Sequence, residues 1–439
     1  MTKLRSRTRW AIAGMAAALS MASLAACSSP GGSSTTGSPG VSNAPVTLTL
    51  TYWGGDVDTT TWQQRLALAK EKFPNITVNA QIIPTDYDTK LQTMFAGGTA
   101  PDIAEVSQDD FDNFASQGEF EDLNPYFQQA GIDLVSQFGQ GNIDTFTEDG
   151  HLYGIADRSG AMVIWYNKDL FDQAGVSYPT ADWTWDQFRT AAKQLTQRDA
   201  SGNVTVWGWW GNLDWWPLWA QWMAQNGGGI LDASGQPILN SQANIDGLQF
   251  MQDMVYQDKT GPSPLDYANM GVTSPDTVFA QGKMAMEVTG FWNVAQLEST
   301  SVNYDIAPLP QGKVKAVPVS VAGLAMSSSC QHKAEAAELL EFLTSAAGQK
   351  PIADNALDVP SNIQALQDPS WTNPSWNTRG IDLGVYAEEA PYLWSPPTLK
   401  FDQIVQAFSN AMTDTWSNNQ SVTDGLNAAQ QAVQDLLKG

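Results

Sequence analysis

Histidine and cysteine are nearly absent from this 439-residue sequence, with two of each, and positive charge is scarce: 22 Lys and Arg stand against 46 Asp and Glu. Each shortage excludes a class of function. A formal charge of −24 leaves no basic face to neutralise phosphates, so no nucleic-acid partner is expected. His151 and His332 lie in no metal-ligand spacing, and Cys330 with His332 offers two donors, too few for a structural zinc site; no metal is expected. A Ser-His-Asp triad would need one of these two histidines, and no Gly-x-Ser-x-Gly elbow is present. Walker and Gly-x-Gly-x-x-Gly loops are missing too, and no cofactor is expected. Beyond the N-terminal segment no apolar run approaches the roughly 20 residues that cross a bilayer. A two-carboxylate glycoside hydrolase stays open, because acids are plentiful and the two groups can come from distant positions.

Abundance lies elsewhere. Hydrophobic residues make up 42% and charged residues 15%, which excludes disorder and allows large cores. At about 100 to 200 residues per domain the length suggests two or three lobes. The 18 Trp, 11 Tyr and 16 Phe exceed what cores alone need.

Lys3, Arg5, Arg7 and Arg9 precede an uncharged stretch from Trp10 to Leu24, the order a secretory signal requires. That stretch ends in Leu24-Ala25-Ala26-Cys27, which resembles the lipobox of bacterial lipoproteins; cleavage before Cys27 would free it for lipidation. The alternative is an ordinary Ala-x-Ala cleavage with Cys27 incidental. Ser28 to Ala44 is almost entirely Ser, Gly, Thr, Pro and Asn and reads as a flexible tether. Loss of residues 1–26 removes four cations and no acids, leaving 18 basic against 46 acidic residues, a net of −28. Cys330 is then the sole cysteine beside Cys27, and no disulfide framework supports the fold.

The body alternates strand and helix. Val46 to Trp53 reads as a strand, Thr61 to Phe73 as a helix, Ile76 to Ile83 as a strand, Tyr87 to Phe95 as a helix and Ile103 to Val106 as a third strand. Further helices are expected at Trp185–Thr196, Ile245–Tyr256, Lys333–Thr344, Gln403–Trp416 and Val422–Leu437. This order predicts an α/β fold with largely parallel sheets flanked by helices, its ligand beyond the carboxyl ends of the strands.

Between Trp207 and Trp222 seven indoles fall in sixteen residues. Trp219 and Trp222, three apart after Pro217 at a helix start, share a face and are expected to pack inward. Trp207 and Trp209 alternate as in a strand. Trp210, Trp215 and Trp216 flank a loop with Asn212 and Asp214, and such a loop can line a cleft. An indole covers the C–H face of a pyranose while carboxylates and amides bond its hydroxyls, a pairing suited to neutral sugar.

Four separated passages then carry a family resemblance: Gly97 to Ile103 with Ser107-Gln108-Asp109-Asp110-Phe111; Gly150 to Ile155 with Ile164-Trp165-Tyr166-Asn167-Lys168-Asp169-Leu170-Phe171; Phe279 to Met286 with Gly290-Phe291-Trp292; and Val321 to Met326 before Ala334 to Leu343. In this order they resemble the family 1 sugar-binding extracellular solute-binding proteins of ABC importers, which include maltose- and maltodextrin-binding proteins. The resemblance implies the two-lobe periplasmic-binding fold (type II), with a ligand cleft between α/β lobes. Residues 1–26 would be the signal and 27–44 the lipidated tether. Residues 45–157 and 310–355 would form lobe one, and 158–309 and 356–439 lobe two.

By that resemblance Trp53 and Asp56 end the first strand at the ligand. Asp109, beside Gln108, would accept from sugar hydroxyls. Trp292 would stack, with Trp215 supplying another aromatic, and Trp394 would be a late contact. Arg158, Trp210, Asp214, Trp216 and Gly323 complete the expected ligand-binding set. Lys168 is read as a surface pair. The resemblance implies no catalytic residue, and a lipid-anchored protein on the extracellular face of the cell membrane. It implies as partners a neutral mono- or oligosaccharide and the permease subunits of an importer, with the chain itself monomeric. The competing readings are a lipid-anchored glycoside hydrolase and a binding protein for glycerol phosphate, a peptide or another polar solute. A phosphate ligand would want Arg or Lys, for which Arg158 and Arg379 are the candidates.

Overall fold

A computed structural model describes residues 44–438 apart from 211–214, 233, 273, 299 and 397–399. Cys27 and Asp214 lie outside the described residues. Apolar side chains gather into two cores. The first takes residues from Val46 to Ala156 and again from Val319 to Leu343; the second takes residues from Ala161 to Val317 and from Ala353 to Val433.

The β-branched run Val46–Tyr52 lies second from one edge of the first sheet, parallel to the edge strand Ile76–Ile82 on one side and to Ile103–Ser107 on the other. Val317–Met326 continues the sheet antiparallel to Ile103–Ser107 and pairs on its other edge with Gly154–Ala161, every residue of which is buried. These last two strands run from one core into the other. The sequence-derived helices are present within a few residues of their expected bounds: Tyr87–Ala96, Trp185–Leu195, Gln242–Tyr256, Lys333–Leu343, Phe401–Trp416 and Val422–Lys438. The first helix, Asp56–Lys72, starts five residues before the expected Thr61. Its Asp58 carboxylate turns back to accept from the Gly55 N–H at 2.8 Å, and acids in its first turn and Lys70 and Lys72 in its last complement the helix dipole.

The second sheet differs in strand direction from the expectation. Val163–Asn167 lies between Met286–Thr289 and Tyr304–Ala307 and is antiparallel to both; among the described residues parallel pairing there is confined to single bridges, Trp207 to Met284 and Trp210 to Glu287. A strand buried on both faces shows the same apolar run whichever way its neighbours point, so direction had no signature in the residues. The helix Trp216–Gln225 follows the Trp210 bridge, with Pro217 in its first turn and every residue buried.

Candidate functional site

Where the two cores meet, a cavity of about 420 Å³ is lined from the first by Trp53, Asp58 and Ser107, from the connecting strands by Arg158 and Ser320 to Ala322, and from the second by Trp292 and Ala356 to Asp358. Gly54 makes the turn between strand and helix possible. Its φ of +116° suits glycine, and a Cβ there would lie 2.1 Å from the Asp58 carboxyl. Trp53, at the end of the first strand, is half-buried, with its ring edge-on to Tyr87 at 5.2 Å. The Trp292 indole is 39% exposed. It lies against two glycines whose missing side chains make its space: a Cβ on Gly160 would come within 2.7 Å of the ring and one on Gly290 within 2.1 Å. Trp215 meets the Trp292 ring at 5.6 Å and 76°.

Beneath these rings is a buried charge network. Arg158 donates to Glu105 and, at 3.4 Å, to Asp58, and its guanidinium sits 5.3 Å from the centre of the Trp53 ring. Burial alone would lower the Arg158 pKa, but Glu105, Asp358, Asp58 and Asp157 outweigh it, and the net shift is upward. Burial raises Glu105 to about 7 against the opposing pull of Arg158, and raises Asp358 to about 6 for the same reason. A neighbouring pair, Arg65 with Asp157, is also buried. Arg158, the one cation among the described lining residues, is therefore committed to carboxylates. Arg379, the other candidate for a phosphate, donates to the carbonyls of Val302, Glu298 and Thr300 away from the cavity. Lys168 stands 3.8 Å from Asp305, also outside the cavity.

Next to Ser107 the chain carries a second polar group. Gln108 is buried and braces the Val321 strand in both directions, its N–H donating to the Val321 carbonyl and its Oε1 accepting from the Val321 N–H, each at 2.9 Å. Burial, then Asp110, pushes Asp109 up to about 6, while bonds from Gln108 and Trp216 hold it down. Among the described residues one Asp109 carboxylate oxygen has no donor. Trp216 is 4% exposed, with Trp394 6.4 Å and Phe401 5.3 Å from its ring. Sequence reasoning therefore named members of two adjoining groups: Trp53, Arg158, Trp292 and Trp215 around the cavity, and Gln108, Asp109, Trp216 and Trp394 beside it.

Three further expected residues, Asp56, Trp210 and Gly323, fall in neither group. Asp56 is exposed on the first helical turn, and Asp58 lines the wall in its stead. Trp210 is buried against Tyr267 at 4.8 Å, because its strand pairs with Met286–Thr289 deep in the second core. Gly323 faces Phe146, whose ring leaves 2.5 Å for a Cβ, so this glycine serves packing. The reading missed Asp58, Ser320 and Asp358. Asp58 carried a signal, as an acid at the third helical position; Asp358, some 200 residues from Arg158, carried none. Among the described residues no three His, Cys, Asp or Glu side chains are grouped to hold a metal, and no helix is long and apolar enough to cross a membrane. Indole faces beside carboxylates, with the cation neutralised, suit an uncharged ligand rich in hydroxyls.

Residues 55–350 match a family model described as bacterial extracellular solute-binding protein. The arabinooligosaccharide-binding protein of Halalkalibacterium halodurans is 30% identical over 212 residues, 47% of this chain and 45% of that one, so the match spans about half the relative's length. A putative binding protein of Brucella abortus is 26% identical over 77% of this chain and 80% of its own. Among solved structures, an ABC substrate-binding protein of Listeria monocytogenes in complex with cycloalternan superposes with a TM-score of 0.75 at 26% identity, covering 90% of this chain and 99% of that one. The cyclic alpha-maltosyl-1,6-maltose binding protein of Arthrobacter globiformis shares the fold, with a TM-score of 0.76 at 19% identity over 90% and 100% of the two chains.

Proposed function

From the premise that this chain belongs to the bacterial extracellular solute-binding protein family, we propose that it captures a neutral oligosaccharide between its two lobes and delivers it unchanged to the permease of an ABC importer. One observation carries the reading: a cavity between the cores presents Trp53 and Trp292 beside Asp58 and Asp358, with Arg158, the cation among its described lining residues, already bound by carboxylates. A neutral polyol gains charge-assisted hydrogen bonds there, whereas a phosphate meets acids. Relatives named for arabino- and galactooligosaccharides and a neighbour holding cycloalternan support the same class. Ligand touching both lobes biases them toward a closed form, which the permease reads; no bond is made or broken.

Anchoring belongs to the same proposal. Lipid on Cys27 would tether the body to the outer face of the membrane through residues 28–44, and Cys27→Ser would release it from the membrane fraction of its host. Equal retention of variant and wild type would remove the anchor from the account. The function itself is tested by a thermal-shift screen of neutral oligosaccharides followed by chromatography of the recovered sugar. A ligand at 100 times its dissociation constant adds about 2.7 kcal/mol of stability. Recovery of cleaved sugar would replace binding with hydrolysis.

A further inference from the structure

The second lobe contains another cavity, of about 460 Å³, which shares no lining residue with the first. It opens between the hairpin of Gln197–Arg198 and Val204–Val206, the end of the helix Gln242–Tyr256, and the short helix Pro264–Met270. Trp207 and Met270, both half-buried, give it an apolar wall. Its charge is opposite to that of the chain. In a protein with a formal charge of −24, the described residues of this lining include Arg198 and Lys259 and a single carboxylate, Asp266.

That carboxylate is occupied: one Asp266 oxygen accepts from the Ser263 N–H at 3.0 Å and from its hydroxyl at 2.6 Å, capping the short helix. Asp258, next to Lys259 in sequence, is taken by Arg189 and, at 3.0 Å, by Lys193. Arg198 donates only to carbonyls, those of Gly202 at 3.3 Å and Lys259 at 2.9 Å. Among the described residues neither cation of the cavity forms an ion pair. Lys259 is also held at a φ of +54°, a left-handed conformation that glycine adopts more readily than lysine. Glycine would hold that backbone free of strain.

We propose that this cavity is a second saccharide site, specific for a sugar residue bearing a carboxylate, a hexuronate. Its C–H face would lie on Trp207, its carboxylate would accept from Lys259 and Arg198, and Asn269 at the rim would bond its hydroxyls. The two cavities thus divide ligands by charge, the acidic cleft excluding the anions that the outer site attracts.

The test is calorimetric titration of the chain with digalacturonate and with neutral galactobiose, for wild type, Lys259→Ala, Lys259→Gly, Trp207→Ala and Trp292→Ala. Digalacturonate is expected to bind wild type, and to bind more weakly as salt rises. Loss of the charged hydrogen bond in either Lys259 variant should weaken it at least about tenfold. Trp207→Ala should do the same, and Trp292→Ala should leave it unchanged. Lys259→Gly should also raise the melting temperature while losing the probe, which a purely structural lysine would not do. Absence of digalacturonate binding, equal binding in the Lys259 variants, or binding of galactobiose equal to that of digalacturonate at this site would overturn the proposal. So would loss of the probe in Trp292→Ala, which would place it in the cleft. Because Trp292→Ala tests the cleft separately, failure of either site is visible without the other.

Discussion

Tryptophans from one stretch of chain end in opposite environments. Trp209, Trp219 and Trp222 are at most 1% exposed, packed against Phe188, Phe408 and Phe250, and their indole N–H groups have no acceptor among the described residues. Trp215 lies only a few residues away yet packs edge-on against the 39% exposed Trp292 of the cleft wall. The difference is not in the residue but in what faces it. A fully enclosed indole stabilises the fold through its area; an indole with one face left open, held by Gly160 and Gly290 behind it, can receive a ligand. The comparison predicts that changes to one set alter stability and changes to the other alter affinity.

The largest effect is expected from Trp219→Ala. Its ring stacks on Phe408 at 3.8 Å and 19°, and its loss should lower unfolding free energy by about 3 to 5 kcal/mol, measured by denaturant titration, while the folded fraction keeps its sugar affinity. Trp292→Ala should do the reverse. Truncating an aromatic anchor costs about 2 kcal/mol or more of binding, at least about tenfold by calorimetry, with little change in melting temperature. Gly160→Ala sharpens the contrast, since it removes no atom from the cavity lining and acts through the Trp292 ring, 2.7 Å from the added Cβ. Overpacking of about 1 kcal/mol or more should appear as a several-fold loss of affinity; an unchanged dissociation constant would show that the ring's position is not set from behind.

The smallest effect is in pH and concerns Asp109. Its carboxyl is raised from 3.8 to about 6 by burial first and Asp110 second. An acid raised in the folded state contributes stability that is present below its ordinary value and lost as pH rises through about 6. A sugar hydroxyl donated to the ionised group has the opposite dependence, so affinity should be full above about 6 and fall below it. Stability of the free protein and affinity for sugar should therefore move in opposite directions between pH 7 and 5, and Asp109→Asn should flatten the affinity profile.

Much of this fold was legible because burial imposes period. The alternation in Val46–Tyr52 and the helical spacing of Trp185–Leu195 and Val422–Lys438 lie in consecutive residues. The antiparallel second sheet was not legible, because Val163–Asn167 is buried throughout whichever way its neighbours run. In the site, Trp53 and Trp292 were reached through resemblance rather than spacing, and Arg158 as a cation near the site segments. Nothing near Trp210 in sequence told that Tyr267 would cover it, and nothing near Trp292 told that Gly160, more than a hundred residues earlier, would seat it. Asp58 could have been read as a helix-capping acid; Asp358 depends on the return of the chain beside Arg158.

The most direct test of the central claim is calorimetric titration of wild type and Trp292→Ala with a panel of neutral arabino-, galacto- and maltooligosaccharides, with the sugar recovered and identified afterwards. The account predicts saturable binding of at least one neutral oligosaccharide, recovery of that sugar intact, and a loss of at least about tenfold in Trp292→Ala at unchanged stability. Binding within twofold of wild type in the folded variant, or a cleaved sugar, would contradict it.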